Sequence, residues 1–494
     1  MNIFKKLFNR QVPEAKIEKR FAGARIGRVL SDWVSSSMDI NEQIKYDAES
    51  LRNRARQLEQ DNPFVQRYLK LCEDNIVGER GYILQSMVHD SPDRLDTQAN
   101  RIIEAGWEEW SKKGNCDVTG KYSFRQICKL IVRHRKRDGE VFVRLVKGYP
   151  NKWKFALQLI PAEMVNMNLS SDLGNGNKII QGIEVDSWGR PKAYHIGSNS
   201  NSMSSAPATY LRFSADEILH IYNPESCVQL RSVSELHNSM VPIHLHNSYT
   251  EAELVAAKVG ACQGGFFTGN TTLPGTVEDD GTIVMDLEPG TFHQLPNGVS
   301  FEKYDPNHPN INFNEFSKSI LKQISAGLNI SYTSLTGDLT EVNFSSIRQG
   351  ILDERNNWKN EQSLEINNTV KPIFAAWLEQ SLLTTSLVFD DIPNVATPKP
   401  LPYSKMNKFL ADTWIVKRWD WVDPLKDANA MKLKRDLGWM SDTQICADLG
   451  TDYEDTQSQI ERDNANRKEE LRGSEYIVDN SPNTEESITS NETK

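Results

Sequence analysis

The stretch from Ser345 to Leu382 constrains the fold most. Along it Ile347, Ile351, Trp358, Ile366, Val370, Ile373, Phe374, Trp377 and Leu378 return at helical spacing, the mark of a buried face on a long helix. Pro372 lies inside the pattern without ending it. An interior proline removes a main-chain hydrogen bond and clashes with the preceding turn, at about 3 kcal/mol. The spacing therefore predicts a long helix, 345–382, kinked at Pro372.

Two further long helices precede it. Residues 234–267 read as helical, interrupted at Pro242, with Thr250 and Glu253 spaced as a capping box that restarts the helix. Residues 268–308 are rich in Gly, Pro, Thr and Asp and carry short strands. At 309–330 Asn312 and Glu315 form a cap, Phe313, Phe316, Ile320 and Ile324 share one stripe, and Gly327 stands near the end. A polar segment, 331–344, joins this helix to the long one. From Ser331 to Ile347 it holds no Lys or Arg, while Asp338 and Glu341 are acidic.

The N-terminal side is an α+β region. Residues 1–28 are basic and read as a surface arm or docking helix. Asn41 to Val77 is helical, with Asn62-Pro63 as a local start signal and Gly78 and Gly81 as stops. Gln98–Lys113 and Ser123–His134 are amphipathic helices, and Asp138-Gly139 turns the chain into the strand Glu140–Val146. Ala156–Ile160, Gly182–Val185, Ala193–Ile196 and Glu217–Ile221 read as strands, with a hairpin turn at Ser187–Pro191. Residues 393–402 are a proline-rich connection. Short helices follow to about Glu470, and the polar, acidic end is expected to be disordered.

Composition and motifs exclude more than they assign. The 494-residue chain has enough length for two or three domains with real cores. Its formal net charge is -10, unlike a protein that grips nucleic acid through phosphate neutralisation. Six cysteines without a CxxC pair read as reduced thiols. No apolar run of about 18 residues occurs, so no membrane span is expected. The start has no apolar core of a signal peptide, which leaves Asn343-Phe344-Ser345 without a glycosylation role. Gly114–Tyr122 approaches a phosphate loop, but it is one residue too long and has Tyr122 where a hydroxyl ligand of magnesium belongs. His237, His244 and His246 lack the spacing of helical metal ligands. Ser345 and Ser346 have no base partner, and their ordinary task is helix capping. Arg133–Arg137 is the run best suited in composition to nucleic acid, though a helix C-terminus explains it as well. Lys318 and Lys322 share one face of their helix. No catalytic or metal constellation emerges, no cofactor is expected, and a structural or interaction protein remains.

The order of these segments resembles the lambda-type family of tailed-phage portal proteins, continuously from about Arg20 to Glu454. The resemblance rests on LRNRARQLEQDNPFVQRYLKLCEDNIVGERG, WEEWSKKGNCDVTGKYSFRQICKLIVRHRKRDGEVFVRLV and GIEVDSWGRPKAYHI. It continues through EILHIYNPESCVQLRSVSELHNSMVPIHLHNSYTEAELVAAKVGACQGGFFT, LEPG and WDWVDPLKDANA. Ser232 departs from the family pattern, which usually has Gly there. The resemblance implies an α+β, mostly helical fold assembling into a ring with a central channel. It implies a basic arm at 1–28, a wing at 29–233 and stem helices at 234–267 and 309–330. A clip at 268–308, a tunnel loop at 331–344, a kinked helix at 345–382, further wing and crown helices at 383–471 and an acidic tail at 472–494 complete it.

Thr336, Gly337, Asp338, Leu339, Thr340, Glu341, Val342 and Asn343 are then the residues expected to face DNA, with Lys318 and Lys322 as transient contacts. Expected partners are other copies of the chain, double-stranded DNA, the terminase large subunit, major capsid and scaffolding proteins and the tail connector, in the virion and without a membrane. A DNA-binding minor capsid or scaffolding protein without a channel is the alternative reading.

Overall fold

The computed structural model describes residues 37–92, 94–174, 176–197, 209–261, 265–269, 276–277, 283–284, 299–303, 312–340, 344–388, 399–419, 424–449 and scattered positions to 467. The arm 1–28, the tail 472–494 and most of 268–308 lie outside the described residues.

Asp39 caps helix α1 (Ile40–Asp61) by accepting from the Asn41 amide at 3.2 Å. Asn62 then leaves the helical region, and its side chain accepts from the Val65 amide at 2.9 Å to open α2 (Pro63–Cys72). Pro63 is tolerated because a first-turn residue has no intrahelical use for its N–H. The Asn62 amide group also donates to Asn247 at 2.8 Å. A π-helical turn, Glu73–Val77, ends at Gly78, whose φ is 77°. A Cβ there would stand 2.7 Å from Lys417 Cβ, so glycine is required twice over.

Strands β1 (Ile83–Ser86), β2 (His89–Ser91) and β3 (Arg94–Leu95) lead to α3 (Thr97–Trp110). Helix α4 (Phe124–Asp138) opens on a full capping box of Ser123 and Gln126 and runs past the expected His134 end. Gly139 follows with φ 94°, pressed so close to Val233 that a Cβ would meet its carbonyl at 2.3 Å. Next come β4 (Glu140–Lys147), β5 (Phe155–Pro161), β6 (Ser171–Asp172), β7 (Lys178–Ile180), β8 (Ile183–Val185), β9 (Pro191–Gly197), β10 (Tyr210–Ser214) and β11 (Ile218–Tyr222). They form two antiparallel sheets, β11-β4-β5 and β10-β9-β8-β7-β6. Fully buried Arg231 joins them. It bonds Glu140 on β4 and donates to the carbonyls of Val165 at 3.1 Å and Gln181 at 2.7 Å. Ser232 beside it has no left-handed φ, so this turn needs no glycine.

Helix α5 (His237–Ala261) precedes β12 (Gly265–Gly269), β13 (Thr276–Val277), β14 (Ile283–Val284) and β15 (Val299–Lys303), which pair as β12-β15 and β13-β14. Then come α6 (Phe313–Gly327), α7 (Tyr332–Thr336), α8 (Phe344–Glu365), a π turn (Ile366–Val370) and α9 (Lys371–Leu383). Strand β16 (Asp412–Ile415) pairs with β1 across most of the chain. Helices at Pro424–Asp436 and Asp442–Leu449 follow.

The main core gathers Trp107, Trp110, Phe124, Phe374, Trp377 and Trp414. Rings of the other five lie 4.8–5.5 Å from that of Trp107, most of them edge-on. Each such pair adds about 0.5–1.5 kcal/mol beyond its burial. Cys72, Cys116 and Cys128 are buried, and these, Cys227 and Cys446 are unpaired. Cys262 lies outside the described residues.

Several local expectations change, and β16 (Asp412–Ile415) is a strand in a stretch expected to hold short helices. Thr250 does not cap a restarted helix: α5 is continuous through Pro242, and the Thr250 hydroxyl donates back to the His246 carbonyl at 2.8 Å. The strand Gly265–Gly269 takes residues that the apolar pattern gave to helix. Asn312 precedes α6 but forms no side-chain cap hydrogen bond. Packing of α5 on α6 outweighs the local signal at Thr250, and pairing with β15 outweighs it at Gly265–Gly269.

Asn62→Ala removes both the cap of α2 and a link to α5. It should cost about 1–2 kcal/mol, read as a lower urea midpoint at unchanged slope.

Candidate functional site

The site is the polar turn after α6, with the helices that hold it. Helices α5 and α6 pack through His246, whose Nε2 lies 2.8 Å from Ser317 Oγ, and through Tyr249, whose ring meets Phe313 at 5.5 Å and Phe316 at 5.4 Å. Burial lowers the His246 pKa. Gly327 lets the pair close: a Cβ there would fall 2.4 Å from Ser239 Oγ.

The segment expected as loop begins with helix. Ser331 accepts from the Ser334 amide at 3.1 Å and starts α7. Thr336, its last residue, donates to the Tyr332 carbonyl at 2.8 Å, and Gly337 ends it with φ 76°. Asp338 then folds a tight turn on itself, accepting from the Thr340 amide at 2.9 Å, the Thr340 hydroxyl at 2.6 Å and the Tyr332 hydroxyl at 3.0 Å. The Thr340 hydroxyl, the Thr340 amide, Tyr332 and the charge of Lys318 hold the Asp338 carboxyl near 2. Leu339 projects, 64% exposed. Glu341, Val342 and Asn343 lie outside the described residues.

Two anchors that sequence reasoning missed seat this turn. The Glu354 carboxylate on α8 accepts from the hydroxyls of Ser331 and Ser334, each at 2.7 Å, and from Trp358 Nε1 at 3.2 Å. Arg67 on α2 donates to the Ser334 carbonyl at 2.7 Å. Neither residue belongs to a local motif, so no sequence signal marks them. Lys318 is half-buried and Lys322 exposed, with Lys322 Nζ 6.0 Å from the Tyr332 ring centre. The fold thus brings both lysines to Tyr332, and the charge of Lys318 also acts on the Asp338 carboxyl. Pro372 is the second residue of α9. The π turn before it shifts hydrogen bonding by one residue, with the Lys371 amide donating to the Ile366 carbonyl.

Behind the turn stands an ionic hub, and it absorbs the run 133–137. Arg133 pairs with Glu59 at 2.6 Å and with Glu73; Arg137 pairs with Glu59 at 2.7 Å and Asp138 at 2.8 Å. Arg135 is fully buried against Glu235 at 3.1 Å and Glu361 at 2.6 Å. Lys136 bonds Glu235 at 2.6 Å and Glu361 at 2.9 Å. None of these cations is left for DNA.

The other sequence candidates close off similarly. The amides of Lys121 and Tyr122 in the Gly114–Tyr122 loop point at buried Asp117, at 3.0 and 3.4 Å. Among the described residues no group of three or more His, Cys, Asp or Glu could hold a metal ion, and no helix is long and apolar enough to cross a membrane.

This architecture agrees with the family profile of the phage portal protein, lambda family, which matches residues 26–362. The chain belongs to that family. Among curated relatives, the probable portal protein of Halomonas phage phiHAP-1 is 34% identical over 91% of this chain and 87% of its own. Portal protein B of Escherichia phage lambda is 19% identical over 90% and 89%. Among solved structures, a chain from the neck of an empty GTA particle aligns over 86% of this chain and 99% of its own, at 12% identity and a TM-score of 0.44.

Glu361 and Glu365, one turn apart, respond to the hub in opposite senses. Burial would raise Glu361, but Arg135 and Lys136 outweigh it and hold the carboxyl near 2. Its stabilisation is present above its ordinary value of 4.5 and is lost as pH falls towards 2. Burial pushes Glu365 up, with Arg135 only at 3.9 Å, so its contribution is present below 4.5 and is lost as pH rises. Glu361→Gln should cost about 3 kcal/mol at neutral pH, less in acid. Glu365→Gln should be neutral or stabilising at neutral pH. Urea unfolding of both variants at pH 4 and pH 7.5 checks the pair.

Proposed function

We propose that copies of this chain close into a ring at one capsid vertex, and that double-stranded DNA passes through its channel during packaging and ejection. The observation that carries this reading is the α6–α7–α8 arc, which holds an acidic, self-bonded turn out from a rigid base. Such a turn can brush DNA without gripping it, since its own hydrogen bonds are satisfied within the turn and phosphates meet carboxylates first. In this reading 234–267 and 309–330 are the stem and 268–308 is the clip that meets terminase and then the tail connector. Residues 331–344 are the tunnel loop, 345–382 the kinked helix, and the remaining α+β and helical parts the wing and crown. The arm 1–28 and tail 472–494 flank them.

Ring closure needs a heterologous contact between copies. Helix α5 carries a suitable surface: Val241, Leu245, Leu254 and Val255 are 64%, 60%, 67% and 55% exposed in the isolated chain. A helix that exposes this much aliphatic surface is suited to a neighbour. The chain acts without chemistry of its own, and a separate terminase supplies the ATP-driven work. The family is one of structural proteins. The rival, a DNA-binding minor capsid or scaffolding protein, loses its best basic surface to the hub.

Electron microscopy of the purified protein should reveal rings with a central hole. Val241→Asp/Leu245→Asp should abolish the rings while far-ultraviolet circular dichroism stays unchanged; a compact monomer with ATPase activity would sink the reading. Deleting Gly337–Asn343 should leave rings intact but lower packaged DNA per particle. Charge reversal of Lys318 and Lys322 should alter packaging or genome retention, and unchanged values of both remove these lysines from the DNA-facing set.

A further inference from the structure

Among the described residues strand β16 has one partner, β1, and an open edge. Met87 N–H bonds the Ala411 carbonyl at 2.9 Å, while the Ser86 amide turns away to Glu104 at 2.6 Å. In an antiparallel ladder bonded and unbonded pairs alternate. The bonded pairs are therefore Gln85–Thr413 and Ile83–Ile415, in the register Ile83↔Ile415 to Ser86↔Asp412. The amides and carbonyls of Asp412 and Trp414 consequently point away from β1. Such an edge is a template for another extended segment.

The open edge borders a groove of about 380 Å³ between β16 and the helical wall running from α8 through the π turn into α9. Among the described residues Lys359, Lys371 and Arg418 line it, together with Ile366 and Trp414, and Asp412, which accepts from Trp414 Nε1, is the one carboxylate. On a chain of net charge -10 this is a local cationic excess. It suits an extended peptide with apolar residues between acids, since backbone pairing supplies affinity and side-chain contacts supply selectivity.

The chain contains such a peptide. Residues 473–494 hold Glu475, Asp479, Glu485, Glu486 and Glu492 against Lys494 alone. Within them Glu475-Tyr476-Ile477-Val478-Asp479 sets a β-favouring apolar triplet between two acids. We propose that Glu475–Asp479 adds to the free edge of β16 as an extended strand, with its acids beside Lys359 and Lys371. From Arg467 to Glu475 is eight residues, which reach at most about 26–29 Å. The strand is the chain's own segment, folded back onto its own β16.

Amide exchange on the full chain tests this. The amides of Asp412 and Trp414 should exchange about tenfold more slowly in the wild type than in Ile477→Pro, which cannot sustain the ladder. Glu475→Lys/Asp479→Lys should lose the same protection, and adding Lys359→Glu/Lys371→Glu should restore part of it. All these changes lie on the surface or in the terminal segment, and unchanged near-ultraviolet circular dichroism verifies the fold. Equal exchange in wild type and Ile477→Pro overturns the proposal. So does protection that is indifferent to Ile477→Pro yet rises on adding a short DNA duplex, since the groove would then take phosphates. Protection that survives dilution to monomer supports the pairing within one chain, and protection present only in assembled rings overturns it.

Discussion

Everything near the polar turn depends on two buried cations at the end of α4. Arg135 and Lys136 share Glu235, at the approach to α5, and Glu361 on α8, 226 positions along the chain from Arg135. Burying such charges costs several kcal/mol per ion, and only multiple carboxylates at hydrogen-bond distance offset it. The cluster tolerates only arrangements that keep all partners in place. It thereby sets α8 against α4 and against the start of α5. Glu354, about two turns before Glu361, then receives the serines of α7. The turn at Asp338 is placed by a chain of charge and hydrogen-bond contacts rather than by its own few residues.

The same wall shows how the fold absorbs irregular backbone. Two π turns, Glu73–Val77 and Ile366–Val370, lie against one another's elements: Gln362, just ahead of the second, donates to the Asn75 carbonyl in the first at 2.8 Å. A π turn widens the helix by one residue, which gives Pro372 a place at a helix start instead of an interior one. The long helical pattern therefore persists through a residue that ordinarily breaks it. The expected interruption at Pro242 is likewise absent, since α5 keeps its packing on α6 through His246 and Tyr249.

Legibility in the sequence followed locality. Asn62-Pro63, the Ser123–Gln126 capping box, the Asp138-Gly139 turn and the alternation of β4 are each specified within a few residues, and each appears close to its expected position. Thr250 with Glu253 carried an equally good local signal, yet no cap formed, because α6 stabilises a continuous helix there. The run Arg133–Arg137 was the opposite case. Its composition suited nucleic acid, but its partners Glu59, Glu73, Glu235 and Glu361 are spread over three hundred residues, and no spacing rule connects them. Glu354 and Arg67 escaped notice for the same reason.

By itself the sequence determined the helices and central strands of the α+β region, the order of long helices around a polar segment, the acidic character of that segment and the family. These follow from periodicity, turn chemistry and the serial order of motifs, all of which are written along one chain. Only the tertiary structure decided that the basic run is spent internally, that α7 forms within the expected loop and that Lys318 and Lys322 stand beside Tyr332. It alone decided that β16 keeps a free edge against a cationic wall. Those outcomes depend on which distant groups share a low-dielectric interior or a packed face, and that is settled by burial and pairing in three dimensions rather than by local propensity.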